Sequence, residues 1–150
     1  MTQNTHNLDR SVQHHSTIEF LDHPADVMMH CTSINIERLY ETAICGMMQY
    51  AIRASPTPMS TTHGKVTLNA QTHEIMVVDL LSQFIDLLYA EQLAAVSARV
   101  CIYNDYLVCN YTAIDSAECE PLCEIKAITL CGLKVYEKDN VFHLYCIFDV

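Results

Sequence analysis

Residues 17–31 read Thr17-Ile18-Glu19-Phe20-Leu21-Asp22-His23-Pro24-Ala25-Asp26-Val27-Met28-Met29-His30-Cys31, and this run decides the class of fold. Ile18 and Phe20 recur with a period of two, and so do Val27, Met29 and Cys31. That is the pattern of two short strands, each burying one face. Pro24 stands between them. Its ring fixes φ and removes a ladder donor, so a turn or bulge belongs there. The period then changes. Ile36, Leu39, Tyr40, Ala43, Met47, Tyr50 and Ala51 recur at helical spacing, which predicts an amphipathic helix over 35–54. Ser55-Pro56-Thr57-Pro58 ends it.

Working outward, residues 55–64 read as a loop. Val66, Leu68 and Ala70 mark a strand. Ile75, Val78, Leu81, Ile85 and Leu88 predict a second helix over 74–94. Val100 and Ile102 lead to Asn104-Asp105, a tight-turn signal, with Leu107, Cys109 and Tyr111 continuing the hairpin. Residues 113–122 read as a loop. Two long β runs follow, 124–136 and 141–148, separated by Lys138-Asp139-Asn140. The expected order is β-β-α-β-α-β-β-β-β. That order implies an α+β domain over 17–150, a largely antiparallel sheet with two helices packed on it. Residues 1–16 are polar and aperiodic and are expected to be a flexible tail, where His6, His14 and His15 read as solvated.

Composition excludes several classes. A chain of 150 residues suits one domain. Apolar residues make up 51% and charged ones 17%, which is not a disordered composition. No apolar stretch is long enough to span a bilayer as a helix. The net charge of −10 disfavours direct nucleic-acid binding, which needs Lys and Arg to displace counterions. It suits a cation or a basic partner. The first residues show neither a basic region nor an apolar core, so no secretory signal is expected. The eight cysteines then read as free thiols of a reducing compartment, the cytoplasm. Cys101, Cys109 and Cys146 lie inside apolar runs, where a thiol acts as a small hydrophobe.

Phosphate-binding glycine loops, nucleophile elbows and His-Glu-x-x-His are all missing from the sequence. Three constellations remain. Cys119 and Cys123 are four apart, beside Glu118 and Glu120, but zinc needs about four thiolate or imidazole ligands and no second pair has suitable spacing. Asp26 opens a strand and Asp149 is penultimate, with the carbonyl and α-carboxylate of Val150 following. Hard cations take such mixed oxygen ligands, provided that the strands of Asp26 and Asp149 lie side by side. Two solvated strand-end aspartates are the simpler reading of the pattern alone. Lys126 is one cation in an apolar β run, either the exposed side of an edge strand or a contact to a partner's phosphate. His23 is an acid–base candidate by type; between Asp22 and Pro24 it equally suits a turn.

Both ends of the chain resemble one family, the archeases. Phe20-Leu21-Asp22-His23-Pro24-Ala25-Asp26-Val27 is similar to that family's Leu-Asp-His-Thr-Ala-Asp-Val/Ile-Gly motif. Glu124-Ile125-Lys126-Ala127-Ile128-Thr129-Leu130-Cys131-Gly132-Leu133-Lys134-Val135 is similar to its Glu-Val-Lys-Ala-Val-Thr-Tyr-His-Gly-Leu block. Asp79-Leu80-Leu81 and Leu87-Leu88-Tyr89 resemble its second helix, and the close Ile147-Phe148-Asp149-Val150 resembles the family's own. The chain departs from the pattern at Pro24 for Thr, Met28 for Gly, Cys131 for His and Phe84 for Trp.

The resemblance implies a small α+β protein with a divalent cation, of the calcium or magnesium class, held by Asp26, Asp149 and Val150. It implies a non-enzymatic role as accessory factor of the GTP-dependent RNA-splicing ligase in tRNA splicing or RNA repair. There it would promote guanylylation of the ligase and restore turnover, with His23 and Lys126 as further candidates for acting on the partner. Two other readings stay open. One is a protein-interaction or chaperone-like module without a metal site. The other is a small metal-dependent hydrolase using Asp26, His23 and Asp149, for which a nucleophile and an oxyanion motif are missing.

Overall fold

The computed structural model describes Gln3–Asn4 and residues 16–150. His6, His14, His15 and most of the expected tail lie outside the described residues. The elements are β1 (Gln3–Asn4), β2 (Thr17–His23), β3 (Asp26–Ser33), α1 (Ile36–Ala51), β4 (Ile52–Ala54), β5 (Thr62–Asn69), α2 (His73–Tyr89), β6 (Leu93–Ile102), β7 (Tyr106–Asp115), a 3₁₀ turn (Ser116–Glu118), β8 (Cys119–Pro121), β9 (Ala127–Lys138) and β10 (Val141–Asp149).

The expected class holds: two helices packed on antiparallel sheets. The strands divide among three sheets, ordered β1-β2-β3-β10-β9, β4-β8 and β5-β7-β6. Every pairing is antiparallel. α1 packs against β6 and β3, and α2 against β9 and β6, so each helix bridges the two larger sheets. The core between them holds Tyr40, Phe84, Phe148, Met29 and Leu144, all fully buried. No helix among the described residues is long and apolar enough to cross a membrane.

Local chemistry sets the element ends. Asn35 caps α1, its Oδ1 accepting from the N–H groups of Glu37 at 2.8 Å and Arg38 at 3.3 Å. Thr72 caps α2 through Ile75. Asp139 and Asn140 have φ of +54° and +61°, the two left-handed positions of a two-residue hairpin turn between β9 and β10. Gly132, at φ +77°, lies in a bulge of β9. There the register jumps from Tyr145↔Lys134 to Ile147↔Thr129.

Several boundaries differ from expectation. The second helix, expected over 74–94, ends at Tyr89, and Leu93 already opens β6 against Asp115; the β run expected over 124–136 occupies Ala127–Lys138. The first helix stops at Ala51 rather than 54, because Ile52–Ala54 pair with Cys119–Pro121. The stretch 113–122, expected as loop, carries the end of β7, the 3₁₀ turn and β8. Lys126 is not within a strand; it precedes β9. In each case the partner is distant in sequence and invisible to local periodicity.

Candidate functional site

The β2–β3 hairpin turns on Pro24 and Ala25, so His23 and Asp26 face each other across it. Pro24 supplies the fixed φ, but Ala25 sits at φ +61°, a position that favours glycine or asparagine. β3 then pairs with β10 in continuous register from Ser33↔Phe142 to Asp26↔Asp149. Asp149 in turn opposes Ala127 on β9. One rung of the sheet therefore reads His23, Asp26, Asp149, Ala127. Directly opposed residues share a face, so two carboxylates stand side by side at the end of the sheet. The condition that the strands of Asp26 and Asp149 adjoin is met.

Neither aspartate has a full set of partners. Asp26 Oδ2 lies 3.7 Å from His23 Nδ1, within ion-pair range but beyond hydrogen-bond reach. That Nδ1 is shielded from solvent and has no hydrogen-bond partner. Asp149 is exposed, and its carbonyl accepts the Lys126 N–H at 2.8 Å. This bond ties Lys126 to the site through its backbone. Val150 packs its side chain against the core, which anchors the last residue beside the pair. Like charges directly opposed in a sheet repel, and a cation between them would remove that cost.

The residues fit a hard cation in part. Two side-chain carboxylates and backbone carbonyls at the strand ends are the type of oxygen donor that a hard cation takes. No three His, Cys, Asp or Glu side chains converge as a metal-ligating group among the described residues, so side chains alone do not complete a coordination sphere. The same holds for Cys119 and Cys123, which join no such group.

Cys31, Cys109 and Cys146 are buried as core hydrophobes, whereas Cys101, expected among them, is exposed because its side chain falls on the outer face of β6. All eight are free. Burial pushes Cys45 up to about 11 and Cys109 and Cys146 up to about 12, and carries Cys31 well above its ordinary value. Cys119 is also raised, by burial first and then by Glu118 and Asp115. These groups stay protonated, which disfavours nucleophilic or metal-thiolate chemistry at them.

The departures from the family pattern are placed as follows. Phe84 is buried, with its ring edge-on to Tyr111 at 5.5 Å. Cys131 is exposed in the β9 bulge. Met28, with Gly132, Lys134, Tyr136 and Tyr145, lines a shallow hollow on the outer face of the largest sheet.

Sequence reasoning missed two constellations. On that outer face, His30 Nε2 and His143 Nδ1 are 3.0 Å apart, with Glu19 Oε2 at 3.5 Å from the other His30 nitrogen. Tyr145 stacks on His30 at 4.1 Å and Tyr136 on His143 at 4.9 Å. Burial lowers the His30 pKa; the Glu19 bond opposes this and His143 adds to it. The second is on α1, where Glu37 and Glu41 accept backbone N–H groups from Ile102 and Val100 at 2.8 and 2.9 Å. Glu41 is buried and also bound by Arg38. A carboxylate one helical turn from another was the available signal.

The sequence pattern of the archease protein family (MTH1598/TM1083) matches residues 18–150. No curated protein matches the chain. Among solved structures, the chain is similar to an archease of Thermotoga maritima described as a possible chaperone, with 21% identity and a TM-score of 0.65. That match covers 87% of this chain and 94% of the other. It is also similar to protein 1598 of Methanobacterium thermoautotrophicum, with 20% identity and a TM-score of 0.60 over 89% and 98% of the two chains. With the family pattern spanning all but the first 17 residues, from β2 to Val150, this chain belongs to the archease family.

Proposed function

We propose that this chain is a metal-binding accessory protein, without a chemical step of its own, that activates a GTP-dependent RNA ligase. It would promote guanylylation and turnover of that ligase in tRNA splicing or RNA repair, working in the cytoplasm. The observation that carries the reading is the rung His23–Asp26–Asp149, two opposed carboxylates beside an unpartnered imidazole nitrogen. Family membership supports the choice of a ligase as the partner.

Asp26, Asp149 and Val150 would hold a calcium- or magnesium-class cation. Bound there, the cation offers a hard positive centre that draws phosphate oxygens. The hairpin orients Asp26 against His23, and the Lys126 N–H bond to the Asp149 carbonyl fixes the end of β10. The net charge of −10 lets the chain approach a ligase cleft built for RNA phosphates without competing for the RNA.

The test is multiple-turnover ligation by the same organism's ligase, with and without this protein, beside calcium titration calorimetry. Stimulation by wild type, lost in Asp149→Ala together with calcium binding, is the expected result. Stimulation that survives in Asp26→Ala and Asp149→Ala would leave the metal out of the mechanism and favour the chaperone-like reading. Turnover of a phosphate ester without any ligase would favour a hydrolase.

A further inference from the structure

The outer face of the largest sheet carries a second cluster, apart from the aspartate rung. Along β3, Met29 and Cys31 are fully buried on the face that α1 packs against, so Asp26, Met28 and His30 alternate onto the opposite one. Four strand residues carry the chain about 13 Å from Asp26 to His30. His30 is opposed by Glu19 on β2 and Tyr145 on β10, and His143 by Tyr136 on β9. Two imidazoles from neighbouring strands thus reach one surface, and both stay partly exposed.

The two rings lie within 11° of parallel, with centroids 5.3 Å apart, and touch through His30 Nε2 and His143 Nδ1 at 3.0 Å. They meet edge to edge. Hydrogen-bond polarity then assigns both tautomers. A carboxylate only accepts, so His30 Nδ1, 3.5 Å from Glu19 Oε2, carries the proton. His30 Nε2 keeps its lone pair and accepts from His143 Nδ1. Stacking holds both rings in place, Tyr145 on His30 at 4.1 Å and Tyr136 on His143 at 4.9 Å.

What this arrangement can hold follows from its donors. Two nitrogens on one tetrahedral zinc, each at about 2.0–2.1 Å, stand about 3.3 Å apart. The observed 3.0 Å is already close to that span. A carboxylate behind an imidazole is the usual support of a metal-bound histidine, since it orients the ring and raises its basicity. Burial favours the neutral form of His30, which is the form that ligates. Anions are disfavoured by the chain's charge of −10. Calcium and magnesium take oxygen rather than imidazole. A nitrogen-preferring divalent cation suits both the donors and the charge. It would take the place of the bridging proton, which His143 moves from Nδ1 to its own Nε2. No proton is lost in that exchange.

We propose that His30 Nε2 and His143 Nδ1 chelate a zinc-class cation on the outer face of the sheet, with Glu19 holding His30 and water completing the sphere. Two protein ligands rather than three leave positions open, and the hollow lined by Met28, Lys134, Tyr136 and Tyr145 gives water room beside them. The site stands whether or not the aspartate rung binds calcium.

The test titrates zinc into the full chain in excess calcium, which saturates oxygen sites, and reads the imidazole nitrogens by long-range proton–nitrogen NMR. One zinc is expected to shift His30 Nε2 and His143 Nδ1 and to move the His143 proton to Nε2, while His63 and His73 stay unmoved. His143→Gln should weaken binding by at least about tenfold, and Glu19→Gln, which keeps the shape of the side chain, by about tenfold. Cobalt in place of zinc should show no thiolate charge-transfer band. Replacing His6, His14 and His15 together with glutamine should leave binding unchanged. Four outcomes overturn the proposal: neither imidazole responds to zinc, His143→Gln binds as tightly as wild type, Glu19→Gln does so, or the triple replacement abolishes binding. A cobalt–thiolate band would assign the cation to the cysteines and overturn it too.

Discussion

Two pairs of acidic side chains sit in this molecule under opposite conditions. On α1, Glu37 and Glu41 are provided for: each accepts a strand N–H, and Arg38 binds Glu41. At the end of the largest sheet, Asp26 and Asp149 oppose each other, and among the described residues the ion-pair partner is His23 Nδ1, 3.7 Å from Asp26. The first pair is deeper than the second. Glu41 is 3% exposed, yet it is structural, because its charge is met where it is buried. The second pair is partly open to water, and its charge is unmet. The comparison separates burial from function. A buried carboxylate whose donors are complete holds the fold together, and an exposed pair without protein donors is hydrated and left accessible to a ligand.

The largest expected effect breaks the first pair. Glu41→Ala removes the acceptor for Val100 and one carboxylate bound by Arg38, and leaves a buried hole. Unfolding in urea should show a loss of about 3 kcal/mol, as for broken buried ion pairs. Glu41→Gln keeps an acceptor and should lose markedly less. The second pair should respond to a cation instead. Calcium at a hundred times its dissociation constant should stabilise wild type by about 2.7 kcal/mol, and Asp149→Asn not at all. A thermal scan with and without calcium reads both. If Glu41 and Asp149 variants respond alike, the contrast fails.

A smaller effect lies at the turn that aligns the rung. Ala25 holds φ +61°, so Ala25→Gly should raise stability by about 1 kcal/mol in the same urea assay. The smallest concerns His30. Its pKa is lowered by burial, so the unfolded chain takes up protons first as pH falls below about 6.5. Stability from the neutral imidazole is present above that pH and fades as pH falls toward the lowered folded value. Melting temperature should therefore drop slightly between pH 7.5 and 5.5, and His30→Gln should reduce the drop.

How much was legible in the sequence varies by element. α1 was legible because its apolar residues repeat every 3.6 positions, and Asn35 marks its start. Its end was not, since Ile52–Ala54 become strand only when Cys119–Pro121 arrive beside them. Asp26 and Asp149 were named from their motif, yet their adjacency was not a local property. Residues 123 positions apart meet only because β3 and β10 are neighbours in the sheet. Glu41 was passed over because its burial comes from β6, which no period on α1 records.

The sequence alone determined the class of fold, two helices among antiparallel strands, since side-chain periodicity is a one-dimensional signal that each segment carries within itself. It also determined the family, through short motifs at both ends of the domain. Only the tertiary structure decided which carboxylates are satisfied and which are not. Hydrogen-bond partners across sheet edges and sheet rungs depend on the register between distant segments, and that register exists only once the chain has packed.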